Sequence, residues 1–279
     1  MFLVYSSLSI IQKNADRMIY LTGDVHHAYR RNLEQRYSDK SEVQLALEYA
    51  VIAEKHGLKA TLFCTGKTVE QEPDKMRELA SRANVELGGH TYSAFESIPK
   101  EVKYLLGKIW GCSYGPRFIQ ERDISKTISA MKKIDVDISS WRTHAFSSNN
   151  VTQTLLADKG IMVLSDYINR KQTKPYKKNN LIHLPINTIV DHDSLLHAHV
   201  TEGSGPVGSQ NNPGGLSAGE YLNILCAQVK EINEQKGDAV ILCHPMCMHT
   251  LDGFDTFRLL CDYLSQYDSL FAREAIIHG

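Results

Sequence analysis

The stretch MIYLTGDVHH, residues 18–27, joins an apolar run to one carboxylate and two imidazoles. Such a run is typical of a buried strand, and a buried strand ordinarily ends in turn-forming residues. Asp24 and His26 are two residues apart, so in extended backbone their side chains point to the same side. Groups held there can bind a metal ion or pair a base with a ligand. The alternative is a solvated turn with a chance pair of histidines.

Strand and helix signals alternate through the rest of the chain. Short apolar strands without two-residue alternation fit a parallel sheet that is covered on both faces. Strands that alternate with helices indicate successive β/α units. The sequence therefore predicts an α/β fold, either a barrel or a sheet between helical layers. The later strands are predicted at 59–65, 85–90, 139–142, 161–166, 182–189 and 239–244, and the helices at 39–56, 72–83, 124–134, 150–159, 218–235 and 254–266.

Polar or ionisable side chains stand at, or just beyond, the ends of several predicted strands. In parallel β/α folds, functional groups collect at the carboxyl ends of the strands. Chance could place one or two such groups there, whereas a series of them indicates one shared site. The series consists of Asp24, His26, His90, Arg142, Asp166 and His244.

The length and the net charge of the chain limit the classes of protein to which it can belong. The 279 residues suit one large domain, and 31 basic against 32 acidic side chains give no excess charge for nucleic-acid binding. We interpret residues 18–279 as a single domain and residues 1–17 as an extension, too short to span a bilayer and without a basic leader.

Six cysteines without a CxxC pair fit a reducing compartment, so we expect a cytoplasmic protein without stable membrane insertion. Residues 201–217 are predicted to be a loop, and residues 100–120 an insertion near the site.

His90 follows two glycines, Gly88 and Gly89, which permit a sharp exit from the strand. A lone histidine at such a position is more often structural. Together with Asp24 and His26 it forms a set of nitrogen and oxygen donors that suits Zn²⁺, although other divalent metals use the same donors. The sequence thus predicts one divalent metal, zinc first, bound by Asp24, His26 and His90.

Two further strand ends carry groups suited to acid–base chemistry or to its support. His244 ends the last strand before Pro245, where it could act as a general acid or, alternatively, donate to a backbone carbonyl in the core. Arg142 stays charged, so its burial would require a carboxylate partner. Asp166, at the next strand end, is the partner that we expect.

Taken in order, these segments resemble the polysaccharide deacetylases, carbohydrate esterase family 4, over most of residues 18–262. The family's Thr-Phe-Asp-Asp motif is similar to Thr22–His26. The approach to its His-Thr/Ser-x-x-His motif is similar to Lys59–Gly66 and Glu86–Thr91. Its Arg-x-Pro motif resembles Arg142–His144, and its Leu-x-His motif resembles Leu242–His244. Four motifs in the same order make the resemblance fairly specific.

The resemblance implies an irregular (β/α) barrel of about seven parallel strands. It also implies roles for individual residues. Asp24 would be the catalytic base, and His26 would replace the family's metal-binding aspartate. His90 would be the first metal histidine and His244 the general acid. Arg142 and Asp166 would form a supporting pair.

One departure from the family pattern concerns the metal. The second histidine of the His-x-x-x-His motif would fall at Ala94, which cannot bind a metal ion. His27 or His144 could fill the gap, and His144 stands where the family has proline. His26 completes a set of three ligands only if Asp24 also contacts the metal.

A second polar cluster follows the predicted strand at 182–189. It could line the substrate pocket, but we expect a solvated loop. Its members are His183, Asp191, His192, Asp193, His197 and His199.

The function that follows from the resemblance is metal-assisted hydrolysis of an N-acetyl group on a sugar. The expected substrate is an N-acetylated sugar, a nucleotide-sugar or a lipid-linked glycan in surface-polysaccharide synthesis. One alternative is a hydrolase of cyclic imides or ureides on the same fold. The other is a non-catalytic sugar-binding barrel.

Overall fold

The structure, a computed structural model, describes residues 18–28, 35, 38–94, 96, 98–195 and 215–275. The predicted extension 1–17, most of the predicted loop 201–217, and His197 and His199 lie outside the described residues. Among the described helices, none combines the length and the apolar character needed to cross a bilayer.

A mostly parallel sheet forms the centre of the fold. Its order is β6-β7-β5-β4-β3-β2-β1-β8, and β9 pairs with the beginning of β1. The one antiparallel pairing in this sheet joins β6 to β7. The strands are β1 (Met18–Val25), β2 (Ala60–Cys64), β3 (Val85–Gly89), β4 (Ser140–Trp141), β5 (Val163–Leu164), β6 (Tyr176–Lys178), β7 (Leu181–His183), β8 (Ala239–Leu242) and β9 (Asp268–Ser269).

Helices alternate with these strands. The first, α1, begins after Ser41. The Ser41 hydroxyl accepts a hydrogen bond from the Gln44 amide, and the Gln44 side chain accepts one from the Ser41 amide. This cap places Glu42 in the first turn of α1, where it is buried. The helices are α1 (Glu42–Lys55), α2 (Gly66–Gln71), α3 (Pro73–Ala80), α4 (Lys100–Trp110), α5 (Arg117–Lys132), α6 (Asn150–Asp158), α7 (Asp191–Ser194), α8 (Ala218–Glu234), α9 (Pro245–Asp252) and α10 (Asp255–Leu264).

The gap between β7 and β8 is bridged by side chains rather than by a strand ladder. The Asn187 side chain accepts from the Val240 amide at 2.8 Å and donates to the Asp238 carbonyl at 2.9 Å. The Thr188 hydroxyl donates to the Val240 carbonyl at 3.1 Å. The α/β fold with a barrel-like parallel sheet is confirmed, and its closure is irregular.

One local prediction was wrong. The strand predicted at 182–189 ends at His183. The residues that follow reach β8 mainly through side chains, with one backbone bond from the Asn187 amide to the Val240 carbonyl at 3.4 Å, and they reach residues 164–169 through isolated backbone bonds. The predicted insertion at 100–120 contains α4 and the start of α5. Helix α4 ends at Gly111 in the left-handed conformation (φ 70°), which is a common way for a helix to stop.

Candidate active site

Three histidines converge at the carboxyl end of the sheet. His26 follows β1, His90 follows β3, and His144 follows β4. The Nδ1 atom of His144 lies 3.3 Å from Nε2 of His26 and 3.3 Å from Nε2 of His90. All three nitrogens lie within 4.8 Å of one another. We call His26, His90 and His144 the histidine triad.

Hydrogen-bond partners outside the triad fix the ring orientation of His26 and of His90. The Nδ1 atom of His26 lies 3.0 Å from Oε2 of Glu42, and the same carboxylate accepts the His26 amide at 2.6 Å. Nδ1 of His90 donates to the Arg142 carbonyl at 2.8 Å. Because an ionised carboxylate and a carbonyl oxygen only accept, both Nδ1 atoms carry the hydrogen. In the neutral form of each ring, Nε2 is then the nitrogen with a free lone pair for a metal, as in many metal-binding histidines.

Burial lowers the pKa of two of the three triad histidines, His90 and His144. It lowers the pKa of His90 to about 3. Burial, followed by the charges of His26 and His90, also holds the pKa of His144 well below its usual range. For His26, burial alone lowers the pKa, but the Glu42 carboxylate outweighs it and raises the pKa above its ordinary value. Neutral imidazoles such as His90 and His144 at neutral pH have the form in which histidine binds metals.

The triad fits a tetrahedral metal ion. Zinc–nitrogen bonds of 2.0–2.1 Å at tetrahedral angles place neighbouring nitrogens about 3.4 Å apart. The two measured separations from His144 are each 3.3 Å. Moreover, Nδ1 of His144 carries at most one hydrogen, which can form a good hydrogen bond with only one of the two Nε2 atoms that it faces. A cation between the three rings could bind all three nitrogens. The donor set therefore suits zinc with a further position open for another ligand.

A tight turn presents His144 to the other two histidines. Residues His144–Phe146 form a 3₁₀ turn in which Ala145 and Phe146 have left-handed φ values of 54° and 53°. Residues with a Cβ atom rarely adopt this conformation, and such strain is frequent at functional sites. The Asp166 carboxylate accepts the Thr143 amide at the start of this turn. Asp166 is thereby a positioning residue for His144, and burial raises its pKa to about 6.

Asp24 lies beside the triad and is held by a buried arginine. Nη1 of Arg142 donates to Oδ1 of Asp24 at 2.9 Å, while Arg142 also donates to Thr22 and Ser165. Oδ2 of Asp24 lies 3.7 Å from Nε2 of His90. Burial alone would raise the pKa of Asp24, but the charges of His90 and Arg142 and the contact with His244 hold it well below its usual range. Asp24 is therefore an ionised carboxylate at neutral pH.

His244 faces Asp24 from the end of β8. Its Nε2 lies 3.6 Å from Oδ2 of Asp24, and its Nδ1 lies 2.8 Å from Oδ1 of the fully buried Asp191. The other oxygen of Asp191 accepts the His244 amide at 2.6 Å. Burial alone would lower the pKa of His244, but Asp191 and then Asp24 raise it well above its ordinary value. The imidazole is thus held protonated, with one N–H directed to Asp191 and the other towards Asp24.

The arrangement differs from the sequence-based expectation in two pairings. Arg142 bonds to Asp24, and its expected pairing with Asp166 was wrong, because Asp166 instead holds the backbone of the turn at Thr143. Asp24 was expected among the metal ligands, but it does not belong to the group of donor atoms that lie within 4.8 Å of one another. The third member of that group is His144. The other candidate for the gap, His27, is directed elsewhere.

His27 contacts Thr65 at 3.2 Å and Glu96 at 3.0 Å. Burial lowers its pKa. Its ring nitrogens are thus both used in contacts outside the triad. Ala94, at the family's usual ligand position, has a left-handed φ of 47° and donates its amide to the Thr91 hydroxyl.

Two supporting carboxylates were missed or misplaced by sequence reasoning. Glu42 was assigned no role, although its place in the first turn of a helix after the β1 strand end could have suggested one. Asp191 was included in the second polar cluster, for which we expected a solvated loop, and that expectation was wrong for this residue because it is fully buried. His183 of the same cluster is also buried, and its ring stacks on Tyr176.

Comparisons with known proteins identify the family and support the fold. The sequence matches the model of the polysaccharide deacetylase family over residues 13–162, which is more than half of the chain. No curated protein matches it. Because the solved structures below are less than 25% identical to this chain, their likeness shows the fold alone.

Three solved structures illustrate that likeness. A protein from Mycobacterium smegmatis assigned as a polysaccharide deacetylase has a TM-score of 0.72 at 17% identity, over 94% of this chain and 89% of that one. One from Pseudomonas aeruginosa PAO1 with the same assignment has a TM-score of 0.66 at 10% identity, over 94% and 90%. PuuE allantoinase has a TM-score of 0.65 at 11% identity, over 94% and 89%. The family match, together with this fold, leads to one conclusion: the chain belongs to the polysaccharide deacetylase family, carbohydrate esterases that hydrolyse N-acetyl amide bonds.

Proposed function

We propose that this protein is a divalent-metal-dependent deacetylase that removes an N-acetyl group from a sugar. The observation that carries the proposal is the convergence of three histidine nitrogens beside the Asp24–His244 pair. The same end of the sheet thus combines a metal-binding set, an ionised carboxylate and a protonated imidazole. These are the groups that hydrolysis of an amide requires.

His26, His90 and His144 would hold the ion, and zinc is the metal that their spacing suits best. A bound divalent ion would polarise the acetamide carbonyl and lower the pKa of a nearby water molecule. Glu42 and the Arg142 carbonyl orient two of the three rings, so that little reorganisation is needed when the ion binds.

Asp24 would act as the general base. Arg142 occupies one of its oxygens, so Oδ2 is the atom that faces His90 and His244. Because its pKa is held low, this carboxylate stays deprotonated over a wide pH range, which is the form that a general base requires. A water molecule between Oδ2 and the substrate carbonyl would lose its proton to Asp24 as it attacks.

His244 would act as the general acid. Asp191 fixes the N–H at Nδ1 and keeps the ring charged, much as a buried aspartate orients the histidine of a hydrolase triad. The second N–H, at Nε2, points to the region of Asp24 where the scissile bond would lie. Its proton would pass to the departing amine when the carbon–nitrogen bond breaks.

We propose an N-acetylated sugar, either nucleotide-linked or lipid-linked, as the substrate. A second candidate is a cyclic ureide. It is favoured by the replacement of the family's usual ligand pattern with three histidines and by a fold likeness to PuuE allantoinase. Both reactions break a carbon–nitrogen bond of an amide-like group.

Assays of the purified protein distinguish the two candidates. Chelator-treated protein, before and after addition of zinc, is incubated with N-acetylglucosamine oligomers, a nucleotide-linked N-acetylated sugar, and allantoin. We expect acetate release that depends on zinc and is lost in Asp24→Asn and His244→Ala. Hydrolysis of allantoin without acetate release from any sugar would favour the ureide candidate, and activity unaffected by metal removal would overturn the proposed metal dependence.

A further inference from the structure

Helix α4 presents an apolar stripe to solvent. Val102, Leu105 and Ile109 recur at a spacing that places them on one face of a helix. Their exposed fractions are 42%, 55% and 57%. A stripe of this kind normally packs against the core, yet none of residues 101–110 is buried. A contiguous row of exposed apolar side chains on one helix face is typical of an interaction surface.

Aromatic and basic side chains flank this stripe. Tyr104 and Trp110 are 65% and 42% exposed, and Nζ of Lys108 lies 4.6 Å from the centre of the Tyr104 ring. The helix sequence carries Lys100, Lys103 and Lys108 but only one acidic residue. An apolar face bordered by lysines, with tyrosine and tryptophan, is the composition of helices that lie in a membrane interface.

A basic cavity lies at the foot of the same helix. Its volume is about 220 Å³, and its lining includes Ile98, shortly before α4, and Tyr114, shortly after it. Lys67, Arg122 and Lys126 contribute positive charge to the lining. The cavity is of a size and charge that suit a phosphate group.

Acidic groups offset this charge only in part. Glu96 pairs with Lys67, and the Asp123 carboxyl accepts the Tyr92 amide. Burial raises the pKa of Asp123 to about 7, so a large share of it is neutral at neutral pH. Lys126 lies 4.7 Å from the centre of the Tyr92 ring.

The helix and the cavity adjoin the histidine triad. Lys103 of α4 is near enough to His144 for its charge to lower the pKa of that imidazole. Lys67 of the cavity shares the Glu96 carboxylate with His27, the residue after His26. A surface that bound α4 would therefore lie beside the opening through which substrate must reach the site.

We propose that α4 and the basic cavity together dock the protein onto an anionic lipid bilayer, with the apolar stripe at the level of the headgroups and a lipid phosphate in the cavity. Charge favours this occupant over a second copy of the chain. A symmetric dimer through this face would place the lysines of α4 against their own copies. An anionic headgroup layer is complementary to them. The proposal goes beyond deacetylation and holds whichever amide the site hydrolyses.

Co-sedimentation with vesicles tests the docking surface. The zinc-loaded protein is mixed with vesicles of equal phosphatidylglycerol and phosphatidylcholine, and with phosphatidylcholine alone. We expect binding to the mixed vesicles that weakens at least about tenfold in the double variant Leu105→Glu/Ile109→Glu. Leu259→Glu, at a leucine of α10 that is 60% exposed, is the matched control and should bind as the wild type does. The double variant Arg122→Ala/Lys126→Ala should lose the preference for phosphatidylglycerol.

Further measurements separate docking from folding and from activity. Circular dichroism should show that every variant is folded, and acetate release from a soluble N-acetylated sugar should be unchanged in Leu105→Glu/Ile109→Glu. Absence of vesicle binding by the wild type, or equal binding by that variant, would overturn the proposal. So would a wild-type dimer that the same substitutions convert into a monomer. The vesicle-binding and dimer results do not depend on which substrate the site accepts.

Discussion

Nδ1 of His144 lies 3.3 Å from Nε2 of His90, although 54 residues separate the two in the sequence. Adjacent strands β3 and β4 bring them together, since Gly89 and Trp141 pair in register immediately before the two ends. In the proposed metal site, His144 would supply the imidazole that Ala94 cannot provide. This geometry leads us to expect measurable effects of substituting His144, Glu42, Asp191 and Arg142.

Removal of His144 should abolish tight zinc binding. We expect His144→Ala to weaken zinc affinity by more than about 100-fold, because it deletes a direct ligand rather than an outer partner. Competition with a chromophoric chelator measures the affinity. His27→Gln is the control and should retain zinc, because His27 contacts Thr65 and Glu96. The opposite result, loss of zinc in His27→Gln alone, would assign the third ligand to His27.

The Glu42 carboxylate should strengthen metal binding without contacting the ion. Glu42→Gln keeps the side-chain shape but replaces a charged acceptor with a neutral amide, so we expect zinc affinity to fall about 10- to 100-fold. The same chelator competition applies. Glu48→Gln is the matched control on the same helix, since Glu48 is exposed and pairs with Lys40 at the surface. Equal affinity of Glu42→Gln and wild type would show that the His26–Glu42 contact does not tune the site.

The Asp191–His244 pair should make stability depend on pH in a defined window. The pKa of His244 is raised in the folded state, so its contribution to stability is full below the unfolded value of about 6.5 and is lost as pH rises through the folded pKa. The pKa of Asp191 is lowered, so its contribution is present above about 3.9 and is lost as pH falls. The pair therefore stabilises most between about pH 4 and 6.5.

We expect Asp191→Asn to lower the free energy of unfolding by about 3 kcal/mol in that window and by less at higher pH. Urea denaturation of the zinc-free protein at several pH values measures the difference. Asp255→Asn, at an exposed aspartate paired with Arg258, should show no such dependence. A deficit of Asp191→Asn that grows as pH rises would reverse the sign and contradict the assigned pairing.

Arg142 should not tolerate lysine. Its guanidinium is fully buried and donates to Asp24, Thr22 and Ser165 in a fixed planar geometry. A lysine ammonium could not reach all three, so we expect Arg142→Lys to lower the free energy of unfolding by about 2–4 kcal/mol. Arg82→Lys, where the arginine pairs with the half-exposed Glu54, should change stability by less than about 1 kcal/mol. Equal unfolding midpoints for the two variants would contradict the proposed role of this network.

The sequence was sufficient to predict that most residues of the candidate site lie close together, because they accompany strands with a clear apolar pattern. Asp24 lies near the end of β1, while His26, His90 and His244 follow strands, and parallel strands bring their carboxyl ends together. The partner of Arg142 could not be read in this way. Strand order favoured Asp166, which follows the neighbouring strand β5, whereas Asp24 lies on β1, three strands away from β4. The actual pairing depends on side-chain directions that only packing fixes.

The remaining residues of the site depend on tertiary structure. Asp191 lies in a polar stretch whose composition indicates a solvated loop, and its burial arises from contact with β8 across the irregular closure. His144 follows a strand of only two paired residues, and a strained turn directs its ring. Helix α4 was not predicted from the sequence, and the exposure of its apolar face could not have been, since such a stripe normally predicts burial.

Anomalous scattering tests the central claim most directly. Crystals of protein loaded with zinc are measured on both sides of the zinc absorption edge, and the difference map locates the ion. The account predicts one peak bonded to Nε2 of His26, Nε2 of His90 and Nδ1 of His144, with Asp24 outside bonding distance. A peak bonded to Asp24 in place of His144 would contradict it. So would a peak held only by Asp191, His244 and Cys247, a second group of possible donor atoms that lie within 4.8 Å of one another.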